Sequence, residues 1–225
     1  MEKQVARETA NSASTRSLSQ QGQTEVLVGS TLGSLAGTNS SANVHPSTNT
    51  RGLHQPKKEL IENTRHGTSV FPFAAYIWQP QNFPSRVTLH WHREMELVRF
   101  ARGTFNISID MEESTINGDA FVLLPGNVMH TIALPPQCEE SALVFDPQML
   151  VLQSYDEVQS ELFEALLSHN IPLPPIITPE HPAFARIDML YRYCVRHGAT
   201  TNASHRLLIK AKLLEILALY HEYGL

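Results

Sequence analysis

The sequence predicts a mainly β fold with C-terminal helices, a small antiparallel barrel or sandwich followed by a helical hairpin. Three observations carry that expectation. Between Val70 and Asp146, short apolar runs rich in β-branched and aromatic residues are interrupted at roughly eight- to twelve-residue intervals by turn residues, the spacing of an all-β barrel. From Asp146-Pro147 onward the apolar period changes to three and four, with helix-start and helix-stop residues at the segment ends. All 17 Phe, Trp and Tyr residues lie at or after Phe71, so the core is built by the later part of the chain.

Residues 1–58 read as a disordered polar arm. From Ala10 to Thr50, Ser, Thr, Asn and Gln make up 22 of 41 residues, too little apolar area to offset the entropy of ordering a chain. Residues 59–146 hold the expected barrel. Ala75–Trp78 is one strand, closed by the turn Gln79 to Pro84. Arg86 to His92 alternates, with Val87, Leu89 and Trp91 on one face and Thr88, His90 and His92 on the other. Glu96–Phe100 leads to Arg102-Gly103, and Thr104–Met111 alternates again through Phe105, Ile107 and Ile109. Asn117-Gly118-Asp119 is a turn signal, and the run Ala120–Leu124 is apolar throughout, which predicts a strand buried on both sides. Val128–Leu134 and Ser141–Phe145 complete the set.

Residues 147–225 read as helical. Asp146 before Pro147 is a helix start, and Ser154-Tyr155-Asp156-Glu157 offers a capping box, predicting short helices over 147–153 and 156–168. Pro172, Pro174 and Pro175 make 170–175 a connector. Thr178-Pro179 then opens a helix that Gly198 closes, and a last helix runs from Asn202 or Ser204 to Tyr223. That last helix carries two apolar seams, one through Ile209, Leu213, Ile216, Tyr220 and Tyr223, the other through Leu207, Ala211, Leu214 and Ala218. Two seams imply partners on two sides. The preceding helix is expected to cover one side, and the other to meet either the barrel or the same helix of a second subunit, with a homodimer through Ile209, Leu213, Ile216 and Tyr220 the favoured expectation.

Charge and composition narrow the function classes. The formal net charge is −5. Residues 1–58 carry six basic and three acidic side chains, leaving eleven basic and nineteen acidic ones in the body. A body that acidic lacks the clustered Lys and Arg that neutralise nucleic-acid phosphates. The N-terminus has no signal-peptide stretch, and no run of 18 apolar residues occurs, so the chain reads as cytoplasmic with no membrane partner. Cys138 and Cys194 read as reduced thiols. No Gly-x-Ser-x-Gly elbow and no glycine-rich phosphate loop is present, so an enzyme reading rests on metal chemistry alone.

That chemistry would sit at His90-Trp91-His92-Arg93-Glu94-Met95-Glu96 and at Pro125-Gly126-Asn127-Val128-Met129-His130. Three imidazoles and a carboxylate suit a first shell for Mn, Fe, Ni or Zn with positions left for water or substrate. Three readings stay open for His90, His92, Glu96 and His130: a polar pocket that hydrogen-bonds a small effector, a divalent transition-metal site, and histidines satisfied by their neighbours in a filled barrel. Tyr76 and Trp78 are effector-binding candidates through stacking on a sugar ring, or core residues.

The pattern His90-x-His92-x-x-x-Glu96, then six residues and Gly103, resembles the first motif of the cupin superfamily, and Gly118 to Pro125 to His130 resembles the second, with Asn127 at the place of a glycine. A barrel, short helices, a proline-rich link and a closing hairpin together resemble the effector-binding and dimerisation half of AraC/XylS-type transcription regulators. The resemblance covers residues 59–225 and includes the Gly118-Asp119 turn, the hairpin opening at Thr178-Pro179 and Leu208-Ile209-Lys210-Ala211. It implies a cupin-like double-stranded β-helix, a small effector such as a carbohydrate bound in the barrel, a homodimer, and DNA contact only through a helix-turn-helix half that these residues do not include. A metal-dependent cupin enzyme, a dioxygenase or a sugar isomerase, is the competing expectation.

Overall fold

The computed structural model describes residues 3–5, 58–169 and 171–224. Nine strands run in chain order: β1 Lys3–Val5, β2 Phe73–Trp78, β3 Ser85–His90, β4 Met95–Arg102, β5 Thr104–Ile109, β6 Glu112–Asn117, β7 Ala120–Leu124, β8 His130–Leu134 and β9 Glu139–Phe145. They form two antiparallel sheets, ordered β1-β2-β9-β4-β7 and β3-β8-β5-β6. Sequence neighbours repeatedly fall in opposite sheets, and the strands from β2 to β9 interleave as a jelly roll of two four-stranded faces. The architecture is therefore mainly β, a cupin-like jelly-roll barrel followed by helices. Of the expected arm, Lys3–Val5 is a strand paired with Tyr76–Trp78; the remainder, 1–2 and 6–57, lies outside the described residues.

The first sheet is buried on both faces, and residue parity sorts its side chains between two cores. Val98, Phe100, Ala120, Val122, Leu124, Ala142 and Trp78 point inward, joining Phe105, Ile107, Ile132 and Leu134 from the second sheet. Their neighbours Phe73, Ala75, Met95, Leu97, Phe121, Leu123, Leu143 and Phe145 point outward into a second cluster. The five residues of β7 are all buried, as their unbroken apolar run predicts. Ile177 closes the exposed edge of β7, exchanging backbone hydrogen bonds with Phe121 at 2.8 and 3.0 Å.

The outer cluster is covered by helices. Pro147–Leu150 is a single 3₁₀ turn capped by Asp146, whose carboxylate accepts the Gln148 N–H at 2.8 Å. The next segment begins with a π-helical turn, Gln159–Phe163, and continues as α1 Glu164–Leu167. Its start is held by Asp156, which accepts the Gln159 N–H at 3.0 Å, rather than by the expected Ser154 box. Helix α2, Phe184–His197, begins six residues after Thr178 because Pro182 and the turn at His181 delay it, and Gly198 stands at its C-cap. Helix α3, Ala203–Glu222, is capped by Asn202, which accepts from the Ser204 and His205 N–H groups.

The α3 seam corrects one expectation. Ile209, Leu213, Ile216 and Tyr220 are at most 2% exposed and belong to the core cluster shared with α2 and the outer face of the sheet. They serve the chain's own packing and are not available as a dimer face. The other seam is the open one, with Leu207 67% exposed and Leu208 beside it 44% exposed. His197 and His205 stack across the hairpin with ring centroids 4.2 Å apart. Both cysteines are buried, and burial first of all pushes the Cys138 thiol up to about 11 and the Cys194 thiol up to about 12, which makes them inert core residues.

Candidate functional site: a histidine and glutamate centre at the barrel end

His90, His92, Glu96 and His130 converge. The sequence placed His90 and His92 on one strand face, but the structure brings them together differently. Pairing between β3 and β8 runs Val87 to Ile132 and then His90 to His130, so β3 carries one extra residue there. This β-bulge turns His90 to the inner side, the side of Val87, where regular alternation would have pointed it outward with Thr88. His92 lies beyond the strand in the turn to β4. Glu96 is the second residue of β4 and faces inward by parity with Val98 and Phe100.

Two loops are locked to each other to hold this geometry. The Asn127 N–H donates to the His92 carbonyl at 2.7 Å. Asn127 has φ 63°, a left-handed conformation that asparagine tolerates better than most residues and that explains its place in a position where glycine is usual. Gly126 beside it has no room for a side chain, since a Cβ would come within 2.1 Å of the Arg93 carbonyl oxygen. Replacing Asn127 with alanine is expected to cost about 1–2 kcal/mol of stability in denaturant unfolding, with Asn127→Gly close to wild type.

Each imidazole is oriented by a backbone carbonyl. The Nδ1–H of His90 donates to Thr88 O at 2.8 Å, that of His92 to Glu94 O at 3.0 Å, and that of His130 to Val128 O at 2.9 Å. A carbonyl only accepts, so each Nδ1 carries the hydrogen and each Nε2 presents a lone pair unless the ring is protonated. The Nε2 atoms of His92 and His130 both stand 3.3 Å from the same Glu96 oxygen. His130 is 1% exposed, and burial lowers its pKa against the opposing pull of Glu96, which keeps the ring neutral. A neutral Nε2 facing a carboxylate oxygen is a contact between two acceptors. Only a proton or a cation between them makes it attractive.

Two residues outside both sequence motifs join the centre. A strap that precedes the barrel pairs with the His90–His92 turn: Ile61 bridges Trp91, the Glu62 N–H donates to Trp91 O at 2.9 Å, and the Trp91 N–H donates to Leu60 O at 3.0 Å. This sets the Glu62 carboxylate 3.2 Å from His90 Nε2 and 3.5 Å from His66 Nε2. His66 Nδ1 and the Tyr76 hydroxyl are hydrogen-bonded at 2.9 Å. Burial opposes ionisation of Glu62, but His66 and His90 outweigh it and hold the carboxyl far below its usual range. Burial likewise acts to lower His90, yet the hydrogen bond and charge of Glu62 leave it raised. Neither Glu62 nor His66 belongs to a periodic or motif-bearing stretch, so nothing in the sequence marked them.

The remaining candidates divide. Tyr76 reaches the centre through His66. Trp78 is 3% exposed in the barrel core, which rules it out as an open stacking platform. Inward from the histidines, Val98, Phe105, Ile107 and Ile132 pack into the inner cluster. A cavity of about 370 Å³ lies instead near the far end of β4, lined by Ile77, Trp78, Arg99, Glu140 and Ser141 of the sheet and Val195 of α2. Three imidazole donor atoms, those of His90, His92 and His130, lie within 4.8 Å of one another. Histidines whose Nδ1–H is pinned by a carbonyl and whose Nε2 faces a carboxylate and two other imidazoles form the arrangement of metal-ligating imidazoles, so the residues present fit a divalent transition metal.

No protein-family model and no curated protein matches the chain. Solved structures similar to it include an RmlC-like cupin from Shewanella frigidimarina, 13% identical over 33% of this chain and 65% of that one, with a TM-score of 0.28. A cupin 2 conserved barrel domain protein from Salinispora arenicola is 22% identical over 35% of this chain and 66% of that one, also with a TM-score of 0.28. The cupin domain of a Schizosaccharomyces pombe protein is 11% identical over 34% and 58%, with a TM-score of 0.29. In each case the chain spans less than two thirds of the solved structure. Among the described residues no helix is long and apolar enough to cross a membrane. The cupin-like jelly roll itself stands on the order and pairing of the strands.

Proposed function

We propose that this chain is the sensing half of an AraC/XylS-type transcription regulator, with the histidine and glutamate centre as its sensing site and a divalent transition-metal ion, or a small effector held through that ion, as what it senses. The carrying observation is the convergence of the His92 and His130 Nε2 atoms, each 3.3 Å from one Glu96 oxygen, with both Nδ1 atoms held by backbone carbonyls. A metal so held supplies Lewis acidity and open coordination positions to a polar ligand. A carbohydrate is one such effector, meeting the protein at the barrel end.

The sensor reading draws support from the sheet that carries Glu96. Glu96 faces inward while Met95 and Leu97 on either side face the cluster that holds α2 and α3. Arg99 of the same strand donates through Nε to Asp188 of α2 at 2.8 Å and pairs with Asp119 at 2.8 Å. A shift of β4 on occupancy of the centre is therefore felt by the hairpin, and the coupling expected of such devices is about 1–3 kcal/mol. Hydrogen exchange with and without Co²⁺ tests this. The expected result is changed amide protection in α2 and α3 as well as at the centre. Protection that changes only at the centre would contradict the sensor reading and favour the competing one, a metal-dependent dioxygenase or sugar isomerase, which the coordination positions left open by three imidazoles and a carboxylate also suit.

A further inference from the structure

We propose that the strap supplies a second divalent-cation site beside the first, built on Glu62 and His66, so that the barrel end holds a pair of ions. The inference rests on the metal-site reading of His90, His92, Glu96 and His130 and adds residues that reading does not use. Glu62, His66 and His92 present donor atoms that all lie within 4.8 Å of one another, a second set beside that of His90, His92 and His130. Two donors bonded at about 2.1 Å to a tetrahedral ion lie about 3.4 Å apart. The Glu62 oxygen stands 3.5 Å from His66 Nε2 and 3.2 Å from His90 Nε2, and the Glu96 oxygen stands 3.3 Å from both of its imidazoles. Both carboxylates thus already sit at ligand-to-ligand spacing from two nitrogens each.

A single ion does not use this set fully. The centre offers four imidazoles and two carboxylates: His90, His92, His130 and Glu96 make the first set, and Glu62 and His66, with His92 within reach of both, make the second. His92 belongs to both groups, so it can serve either ion, with Glu96, His90 and His130 completing the first set and Glu62 and His66 the second. His66 is 5% exposed, and its Nε2 has no hydrogen-bond partner although it faces the Glu62 carboxylate. A buried imidazole nitrogen in that position is costly unless a proton or cation sits on it. The other ring nitrogen is engaged by the Tyr76 hydroxyl, which orients His66 as an outer partner orients a metal ligand.

Metal stoichiometry on the full, untagged chain tests the proposal. After stripping with chelator and dialysis, protein titrated with Co²⁺ alone and assayed by native mass spectrometry is expected to bind two ions per chain, and Glu62→Gln and His66→Ala are each expected to bind one. The Glu62→Gln change is nearly isosteric and lies on a strap outside the jelly roll, and an unchanged far-ultraviolet dichroism spectrum checks its fold. Saturation of the wild-type chain at one ion overturns the second site and leaves the first standing. Two ions in the wild type and still two in both strap variants overturns the assignment to Glu62 and His66. No bound ion at all overturns both sites together. Because wild-type stoichiometry decides the main point, the test survives a variant that fails to fold.

Discussion

Protein carrying His130→Ala or Glu96→Gln is expected to lose much of the stabilisation that a divalent transition metal confers on the wild type. An ion bound to the folded state alone, at a concentration a thousandfold above its dissociation constant, adds about 4 kcal/mol. For a body of this size that is a rise in Tm of about 10 °C. Both variants should therefore shift clearly less with added Zn²⁺ than wild type does, keeping only what the strap residues Glu62 and His66 still bind. The pH dependence has a defined sign. Protons compete with the ion for the Nε2 atoms, so the stabilisation is present at neutral pH and fades as pH falls through the ordinary histidine range near 6.5. His130 holds its lone pair lowest in that range because burial disfavours its charged form, whereas His90, raised by Glu62, gives up its proton last. A wild-type Tm that ignores Zn²⁺ at pH 7.5 would refute the metal-site reading.

The second large effect concerns the hairpin. Leu213→Ala and Ile216→Ala are each expected to cost about 2–5 kcal/mol of folding stability, the usual penalty for a cavity in a packed core, without changing the mass of the native species. Both side chains lie in the cluster that the sheet and helices share. Had they formed a subunit interface, the same changes would dissociate a dimer and leave the fold intact. The exposed side of α3 is the part of the hairpin left open to a second subunit, so Leu207→Asp, at a side chain 67% in solvent, is expected to lower the native mass of a hairpin dimer at micromolar concentration, with little effect on stability. Sedimentation together with chemical denaturation distinguishes the two outcomes.

The parts of the fold that were legible in the sequence are those in which one physical signal dominates. The apolar run Ala120–Leu124 could only be a strand covered on both sides, and Asn202 before Ala203 marked the start of α3. Strand β6 was not legible, because Glu112–Asn117 buries only Ile116 and has no alternation to read. The turn that joins it to β5 uses Asp110 and Met111, both at positive φ, where a hairpin usually announces itself with glycine. The four motif residues of the site were legible from spacing, yet the reason for their convergence was not. A β-bulge is an extra residue in a pairing, and pairings are not visible along one strand. Glu62 and His66 escaped for a related cause: they reach the centre through a bridge between Ile61 and Trp91, a contact across the fold with no periodicity behind it. The α3 seam shows the converse limit, since periodicity marked its apolar residues, including Tyr223, which is 38% exposed, but did not choose between the barrel and a second subunit as their cover.

The most direct test of the centre is X-ray absorption at the metal edge of Zn²⁺-loaded protein. The expected spectrum shows nitrogen and oxygen neighbours at about 2.0–2.1 Å with the outer-shell scattering of several imidazole rings, reduced in His92→Ala. A spectrum of hydrated zinc, with oxygen neighbours only and no imidazole scattering, would contradict the assignment of His90, His92, Glu96 and His130 as a metal centre.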